Sequence, residues 1–283
     1  MNIIRNKHFE GERPLFESHN LRLENVTIGD GESGIKECSN IEADHCHFWG
    51  KYPFWHVHDF RISNCQFDAG ARSALWYSDN LVMTDTRIDG PKMFREMHHL
   101  RLDNVVINDA DETFWRCTDI EAHNLELHEG TYPFMFSENI RIDGLKSDAK
   151  YVFQYCKNVE LTNAHIVTKD SFWECENITI RDSYLDGEYL AWHSKNVRLI
   201  NCQLAGEQLL CYADDLVLEN CSFDAACDRL FEYSNVEASI QGHIEHIKNP
   251  SSGHIVADSI GSITIDKNVK QPNNCVIETR QKN

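Results

Sequence analysis

Every 19 to 21 residues, this chain begins the same short phrase again. Asn20-Leu-Arg-Leu-Glu-Asn25-Val-Thr-Ile28 returns as Asp59-Phe-Arg-Ile-Ser-Asn64-Cys-Gln-Phe67, as Asn196-Val-Arg-Leu-Ile-Asn201-Cys-Gln-Leu204 and as Asp215-Leu-Val-Leu-Glu-Asn220-Cys-Ser-Phe223. With the leading polar residue as position zero, rungs start at Asn20, Asn40, Asp59, Asn80, His99, Asp119, Asn139, Asn158, Asn177, Asn196, Asp215 and Asn235. A fixed period over most of a chain means stacked units that cannot bury an apolar face alone.

Within each rung, apolar residues fall at +1 and +3, then at +6 and +8, the alternation of half-buried strands. An Asn or Asp at +5 shifts the alternation by one residue, and Asn tolerates the left-handed backbone of a sharp corner. A third short strand is expected before the next zero, as at Phe114-Trp115 and Phe172-Trp173. No helical period occurs. Three short strands per turn describe an all-β, single-domain, right-handed parallel β-helix of about 12 coils, parallel crossovers being overwhelmingly right-handed. A leucine-rich repeat lacks its L-x-x-L-x-L spacing here, and a pentapeptide repeat fits only half of each rung. Residues 1–19 are expected to form an N-terminal cap with a partial coil, 20–240 the β-helix, and 241–283 irregular coils and a cap of the same domain.

The repeat converts sequence into columns, because residues of equal rung position become vertical neighbours about 4.8 Å apart. It therefore answers the stretch HCHFWGKYPFWHVHD, His45 to Asp59, which out of context resembles a metal site. His45, His47, His56 and His58 hold positions +5, +7, −3 and −1, four different columns. His19, His58 and His98 share −1 on alternate rungs, roughly 10 Å apart, too far for one ion whose nitrogen ligands lie about 2 Å away. No metal and no cofactor is expected. The eleven cysteines form two main columns, Cys46, Cys65, Cys202 and Cys221 at +6 and Cys38, Cys117, Cys156 and Cys175 at −2. Small, soft side chains stacked this way read as core filler. An odd count without Cys-x-x-Cys pairs, behind an N-terminus too polar for a secretory signal, reads as reduced thiols in a cytoplasmic protein.

A net charge of −18 argues against nucleic acid or an anionic membrane as partner, and no apolar run is long enough to span a bilayer. One strip could bind something smaller. Five of the six tryptophans share −4: Trp55, Trp76, Trp115, Trp173 and Trp192, with Lys36, Arg95 and Gln154 in the same column. Column −3 reads Glu17, Glu37, His56, Tyr77, Glu96, Arg116, Phe136, Tyr155, Glu174, His193, Tyr212 and Glu232. Regular strands cannot send both columns to one side, so one lies at a bend. Aromatic faces among charged groups suit sugar rings, whose C–H faces stack while their hydroxyls take hydrogen bonds. On that reading Trp55, Trp76, Arg95, Trp115, Tyr155, Trp173 and Trp192 hold an oligosaccharide. Glu96, Arg116, Glu174 and His193 are the candidates for proton transfer and charge neutralisation in a glycosidase- or lyase-like reaction. The alternatives are a stabilising aromatic ladder without ligand and a homodimer interface.

The rungs, with GERPLF (Gly11 to Phe16), KYPFW (Lys51 to Trp55), FWECEN (Phe172 to Asn177), GEYLAWHSKN (Gly187 to Asn196), FEYSNVEA (Phe231 to Ala238) and KNPSSGHIVADSIGSI (Lys248 to Ile263), resemble a bacterial family of pectin-lyase-like right-handed β-helix proteins with no assigned activity. The resemblance spans nearly the whole chain and implies the fold; it transfers no catalytic residues. The wider pectin-lyase-like group includes polysaccharide lyases and glycosidases, but Gly-His-Gly, Arg-Ile-Lys and Arg-x-Pro-x-x-Arg are all missing here.

Overall fold

A computed structural model describes residues 1–269 and 273–281. The chain is an all-β parallel solenoid in two compact units, Met1–Ala149 and Lys150–Asn283, and no helix occurs among the described residues. In the first unit the strands Asn2–Arg5, His19–Glu24, Ser39–Asp44, His58–Ser63, Asp79–Ile88, His98–Ile107, Thr118–Leu127 and Glu138–Ser147 pair in chain order, all parallel. Leu21, Ile41, Phe60, Leu81, Leu100, Ile120 and Ile140 stand directly above one another. All seven occupy +1, so equal rung position does become vertical contact.

The second unit repeats the arrangement with Lys157–Thr162, Glu176–Arg181, Lys195–Ile200, Asp214–Phe223, Asn235–Ile240, Ser252–Ala257 and Asn274–Thr279. A separate parallel pair, His243–Lys248 with Ser259–Thr264, accompanies its last coils. The partial coil expected within residues 1–19 and the irregular coils expected after 240 carry paired strands, and the coils slightly exceed the dozen expected. The repeat motif fades at both ends, at Asn2–Arg5 and after residue 240, while the backbone ladder, which needs no particular side chain, continues.

One expectation about the coil changes. The segment before each zero is not a third strand but an arc of left-handed residues alternating with ordinary ones. In one coil Lys92, Phe94 and Glu96 have φ of 60°, 57° and 50°, followed by His99 at 58° and Asn104 at 53°. Isolated bridges, such as Lys36 to Trp55 and Trp76 to Arg95, replace the strand ladder there, and backbone hydrogen bonds still run from arc to arc, as from the Glu96 N–H to the Trp115 carbonyl at 2.9 Å and from the Phe114 N–H to the Met93 carbonyl at 3.0 Å. Each left-handed non-glycine residue costs about 1–2 kcal/mol. The arc is sustained by what it buries: the −5 side chains fill the interior, and fully burying a Phe contributes about 2–3 kcal/mol. Phe94, Phe114 and Phe134 stack with centroids 4.5 and 4.7 Å apart, and Phe153 on Phe172 at 4.9 Å.

Arcs of this kind break the regular ladder, and buried backbone groups left there need partners. Small side chains at −2 supply them. Ser194 Oγ accepts from the Cys175 N–H at 2.8 Å and donates to the Phe172 carbonyl at 2.5 Å. Ser137 does the same for Cys117 and Phe114, and Ser234 for Ala213 and Leu210. Cys175 stands in the same relation to Cys156 and Phe153. At +6, Cys65 takes the N–H of Cys46 while Cys46 donates to Leu23. Core filler is therefore an incomplete description of these cysteines, which do what serine does at equal positions. Burial pushes the Cys117 thiol up to about 12, which makes it a poor nucleophile.

Outside, the corners are tied by amide ladders. At position zero Asn40 donates to Asn20 at 2.7 Å, Asn80 to Asp59 at 2.8 Å, and Asn196 to Asn177 at 2.8 Å. At +5 Asn124 donates to Asn104 at 3.0 Å and Asn220 to Asn201 at 2.8 Å. Histidines bridge coils in the same manner: His19 to Ser39, His58 to Asp79 and His98 to Thr118, at 2.7 to 2.8 Å. His128 lies 3.1 Å from Asp148 on the next coil and 3.4 Å from Glu126, which also binds Lys146 at 2.8 Å. The Asp148 bond, against some desolvation, raises the His128 pKa above its ordinary 6.5. Burial alone would raise Asp148, but His128 and the Glu129 N–H together hold it below its ordinary 3.8.

Two outcomes follow from these ties. Asn177, with φ of 61°, is bonded to both neighbours in its column. Asn177→Ala should lower stability by about 1–2 kcal/mol, through the lost ladder bonds and because alanine tolerates the left-handed angle less well than asparagine, and Asn177→Gly by less, since glycine adopts that angle freely; equal urea midpoints for the two would contradict the corner role. A raised histidine pKa stabilises fully below the unfolded value and is lost as pH rises through the folded one; the lowered Asp148 acts above its unfolded value and fails as pH falls. The pair is therefore strongest between the two ordinary values, 3.8 and 6.5. His128→Gln should lower the melting temperature more near pH 5.5 than near pH 8.5, and an equal loss at both would remove the ion pair from the account.

Candidate functional site

The alternating arc decides which columns reach solvent. With −5 inside, −4 lies flat against the flank and is half-buried, while −3 projects outward. Tyr77, Phe136, Tyr155 and Tyr212 at −3 are each more than a third exposed. The bend that the sequence required is thus the whole segment from −7 to −3, and both columns share it.

The tryptophan column is a wall. Trp55 and Trp76 stack face to face at 5.3 Å and 10°. The Arg95 guanidinium lies over Trp76 at 4.5 Å and over Trp115 at 5.2 Å, so Trp76 is covered on both faces. Arg95 is held in turn by Glu112 at 2.8 Å, and Lys92 meets the same carboxylate at 3.1 Å. The indole N–H groups are engaged as well: Trp55 donates to the Ser73 carbonyl at 2.6 Å and Trp76 to that of Lys92 at 2.7 Å. In the second unit Trp173 packs on Trp192 at 5.7 Å, and Trp192 donates to the Gln208 carbonyl at 2.7 Å. Gln154, in the same column, makes the equivalent bond to Asp170 through its amide. The column pins each arc to the next, and its ring faces are largely turned on one another. The sixth tryptophan, Trp49, lies across Gly29, where a Cβ would come within 2.7 Å of the ring, with His8 stacked at 5.6 Å.

Outside this wall runs the −3 column. In the first unit His56 stacks on Tyr77 at 5.2 Å; Glu96 and Arg116 follow on the next two coils, exposed, with Arg116 over Phe136 at 5.6 Å. In the second unit Tyr155 and Glu174 lead into His193, which stacks on Tyr212 at 4.9 Å and 19°, and Tyr212 on Tyr233 at 5.5 Å and 29°. Tyr233 holds the place that rung counting gave to Glu232. The left-handed residue at zero is missing from that coil, Asn235 having no positive φ, so every position before it moves by one. Glu232 is buried instead, 3.0 Å from Lys248. That ion pair, and Asn249 bonded to both Glu232 and Asp266, explain the opening of the KNPSSGHIVADSIGSI motif as a staple between coils.

Glu174 and His193 meet at an open depression of about 460 Å³, lined by Glu174, Cys175, Glu176, His193 and Lys195. Cys175 is its buried floor, its thiol bonded to the Phe153 carbonyl. Glu176, Lys195 and Asp214 stand in direct register on three successive strands, at −1, two residues from the −3 side chains and on the same side. Among the described residues no ion pair engages Glu174, Glu176, Lys195 or Asp214, whereas elsewhere charges pair between coils, as Lys169 does with Glu188 at 3.1 Å and Arg22 with Glu42 at 2.7 Å. Sequence reasoning left column −1 out of the candidate site. The signal was available, since −1 is polar on rung after rung, as at His58, Asp79, His98, Glu138, Lys157, Glu176, Lys195 and Asp214.

The four histidines of HCHFWGKYPFWHVHD turn to four different partners: His45 to Asp44, His56 to Tyr77, His58 to Asp79, and His47 to Asp68, which it approaches at 2.8 Å off the line of a hydrogen bond. No group of three or more His, Cys, Asp or Glu that could hold a metal ion occurs among the described residues.

Three solved structures show distant likeness. The mannuronan C-5 epimerase AlgE6 A-module of Azotobacter vinelandii is 10% identical with a TM-score of 0.32, covering 100% of this chain and 91% of that one. PfbA, a surface adhesin of Streptococcus pneumoniae, is 10% identical with a TM-score of 0.31, over 98% and 84%. The periplasmic alginate epimerase AlgG is 11% identical with a TM-score of 0.25, over 98% and 76%. These scores are too low for any function to be drawn from them. No curated protein matches the chain. A family match covers nearly all of it: through residues 2–278 the chain belongs to the family described as protein of unknown function (DUF3737).

Proposed function

We propose that this protein is a carbohydrate-binding solenoid whose recognition surface is the outward −3 column and the −1 column beside it, with the tryptophan wall as rigid backing. The observation that carries the proposal is the second-unit cluster: the exposed His193–Tyr212 stack beside an open depression whose carboxylates and lysine are not tied to one another. Sugar recognition needs aromatic surface for C–H contacts and unengaged polar groups for hydroxyls; the exposed outer edges of the His193–Tyr212–Tyr233 stack offer the first and Glu174, Glu176 and Lys195 the second. In this reading Trp173 and Trp192 fix the arc, while Tyr212, His193, Glu174 and Lys195 touch the ligand.

Binding is favoured over turnover by the openness of the site. Carboxyl groups that act as general acids in glycoside cleavage are held in apolar, water-excluding pockets that raise their pKa, and Glu174 stands in an open depression. Glu174 and His193 on adjacent coils keep a hydrolase or lyase as the second reading. We also place the protein in a reducing compartment, the cytoplasm, because the buried thiols serve as hydrogen-bond donors to backbone carbonyls, which oxidation would abolish.

A broad glycan array followed by calorimetry tests this. Tyr212→Ala should weaken an identified oligosaccharide about tenfold, the scale of one lost aromatic contact, with the circular dichroism spectrum unchanged. An array without any binder, or a Tyr212→Ala variant with unchanged affinity, would refute the site. Product formation abolished in Glu174→Gln would replace binding by catalysis.

A further inference from the structure

The end of a solenoid exposes both its core and its strand edges, and it needs a polar cap or a partner to cover them. The two ends of this chain differ. At the start, Asn2 stands in register with the core residue Leu21, and Lys7 holds the place of the core residue Val26, both of them exposed. The last coil instead keeps apolar side chains in the core columns: Ile263 continues Ile247, and Ile277 continues Ile255 and Ala238. Ile247 and Ile255 are fully buried, whereas Ile263 is 48% exposed and Cys275 and Ile277 are only half-buried. Among the described residues no strand pairs with the outer edge of Ser259–Thr264 or of Asn274–Thr279. We propose that a second copy of this chain covers this end, away from the tryptophan strip, its Asn274–Thr279 strand pairing antiparallel with the same strand of the first across a twofold axis at Val276.

The strand is complementary to itself in one register. The N–H groups of Asn274 and Arg280 bond inward, to the Ser251 and Ala257 carbonyls. Alternation along the strand therefore turns the N–H and C=O groups of Cys275, Ile277 and Thr279 to the free edge, where they need partners. A twofold contact uses the same patch on both copies. With Val276 on the axis, Cys275 stands opposite Ile277 of the second copy and exchanges both edge hydrogen bonds with it, so backbone and core side chains are covered together. Val276, 52% exposed, meets its own counterpart in the closer, non-hydrogen-bonded type of pair. Asn274 meets Glu278, an amide donor opposite a carboxylate, and no like charges face one another from Asn274 to Glu278. Moving the axis to Ile277 would set Val276 against Glu278 and Cys275 against Thr279, which loses the apolar match.

Light scattering and sedimentation of the full chain test the association, and crosslinking tests the register. The measured mass should be twice that of one chain. Val276→Lys sets two cations on the axis and should weaken the dimer about tenfold or more, with the circular dichroism spectrum unchanged because the side chain points outward. In a Cys275→Ser background, Val276→Cys should give a disulfide-linked dimer under copper-catalysed air oxidation, since the Cα atoms of such a pair lie about 4.5 Å apart, within disulfide reach. Glu278→Cys in the same background should not, its counterpart standing about 14 Å away along the strand. A monomer that yields no Val276→Cys crosslink overturns the proposal. So does a dimer that survives Val276→Lys, or one in which Glu278→Cys crosslinks as readily as Val276→Cys, because either result places the contact elsewhere.

Discussion

The left-handed corner is the constraint on which the rest depends. In a typical coil, such as the one from Asn80 to Glu96, five residues take positive φ, at a backbone cost that one residue could not sustain alone. What sustains it is repetition: each corner is bonded to the same corner of the next coil, by Asn at zero and +5 outside and by Ser or Cys at −2 and +6 inside. The buried Phe ladder at −5 then supplies the apolar contribution. Corner, ladder and core are thus one interaction in three directions, which is why so many residue types recur in step.

That interlocking also fixes what the surface can present. Because the arc alternates handedness, it delivers three neighbouring side chains to three environments, interior at −5, flank at −4 and solvent at −3. An ordinary strand would offer two. The most conspicuous residues, Trp55, Trp76, Trp173 and Trp192, fall on the flank and hold arcs together, while the chemistry open to a ligand lies one residue further on. Polar groups gather where the backbone has left room, and at Glu174, Glu176 and Lys195 they are not tied to one another.

Much of this was legible in the sequence, for a physical reason. Stacking at fixed register turns spacing into contact, so the columns Leu21 to Ile140, the paired asparagines and the scattering of His45, His47, His56 and His58 could all be read from residue numbers. The arc could not. Phe-Trp before each zero reads as a strand because a buried apolar residue beside a half-buried aromatic one suits either structure, and only φ tells them apart. Tyr233 for Glu232 escaped for a different reason: the lost position at Asn235 leaves the apolar pattern intact on either side. Column −1 is legible as well, being polar on every rung from His58 to Asp214, but nothing in the sequence says that the arc brings it beside −3.

Asn235 has a wider consequence. Dropping one residue from a coil exchanges the flank and solvent roles of everything upstream to the preceding strand, moving Tyr233 out and Glu232 in. Removing or duplicating an entire coil exchanges nothing, because every remaining layer keeps a neighbour of its own kind. Rungs of 19 to 21 residues keep their columns in register, so the outer loops absorb small changes of length, whereas a deletion at a corner, where φ sets the phase, re-deals which groups meet the outside world.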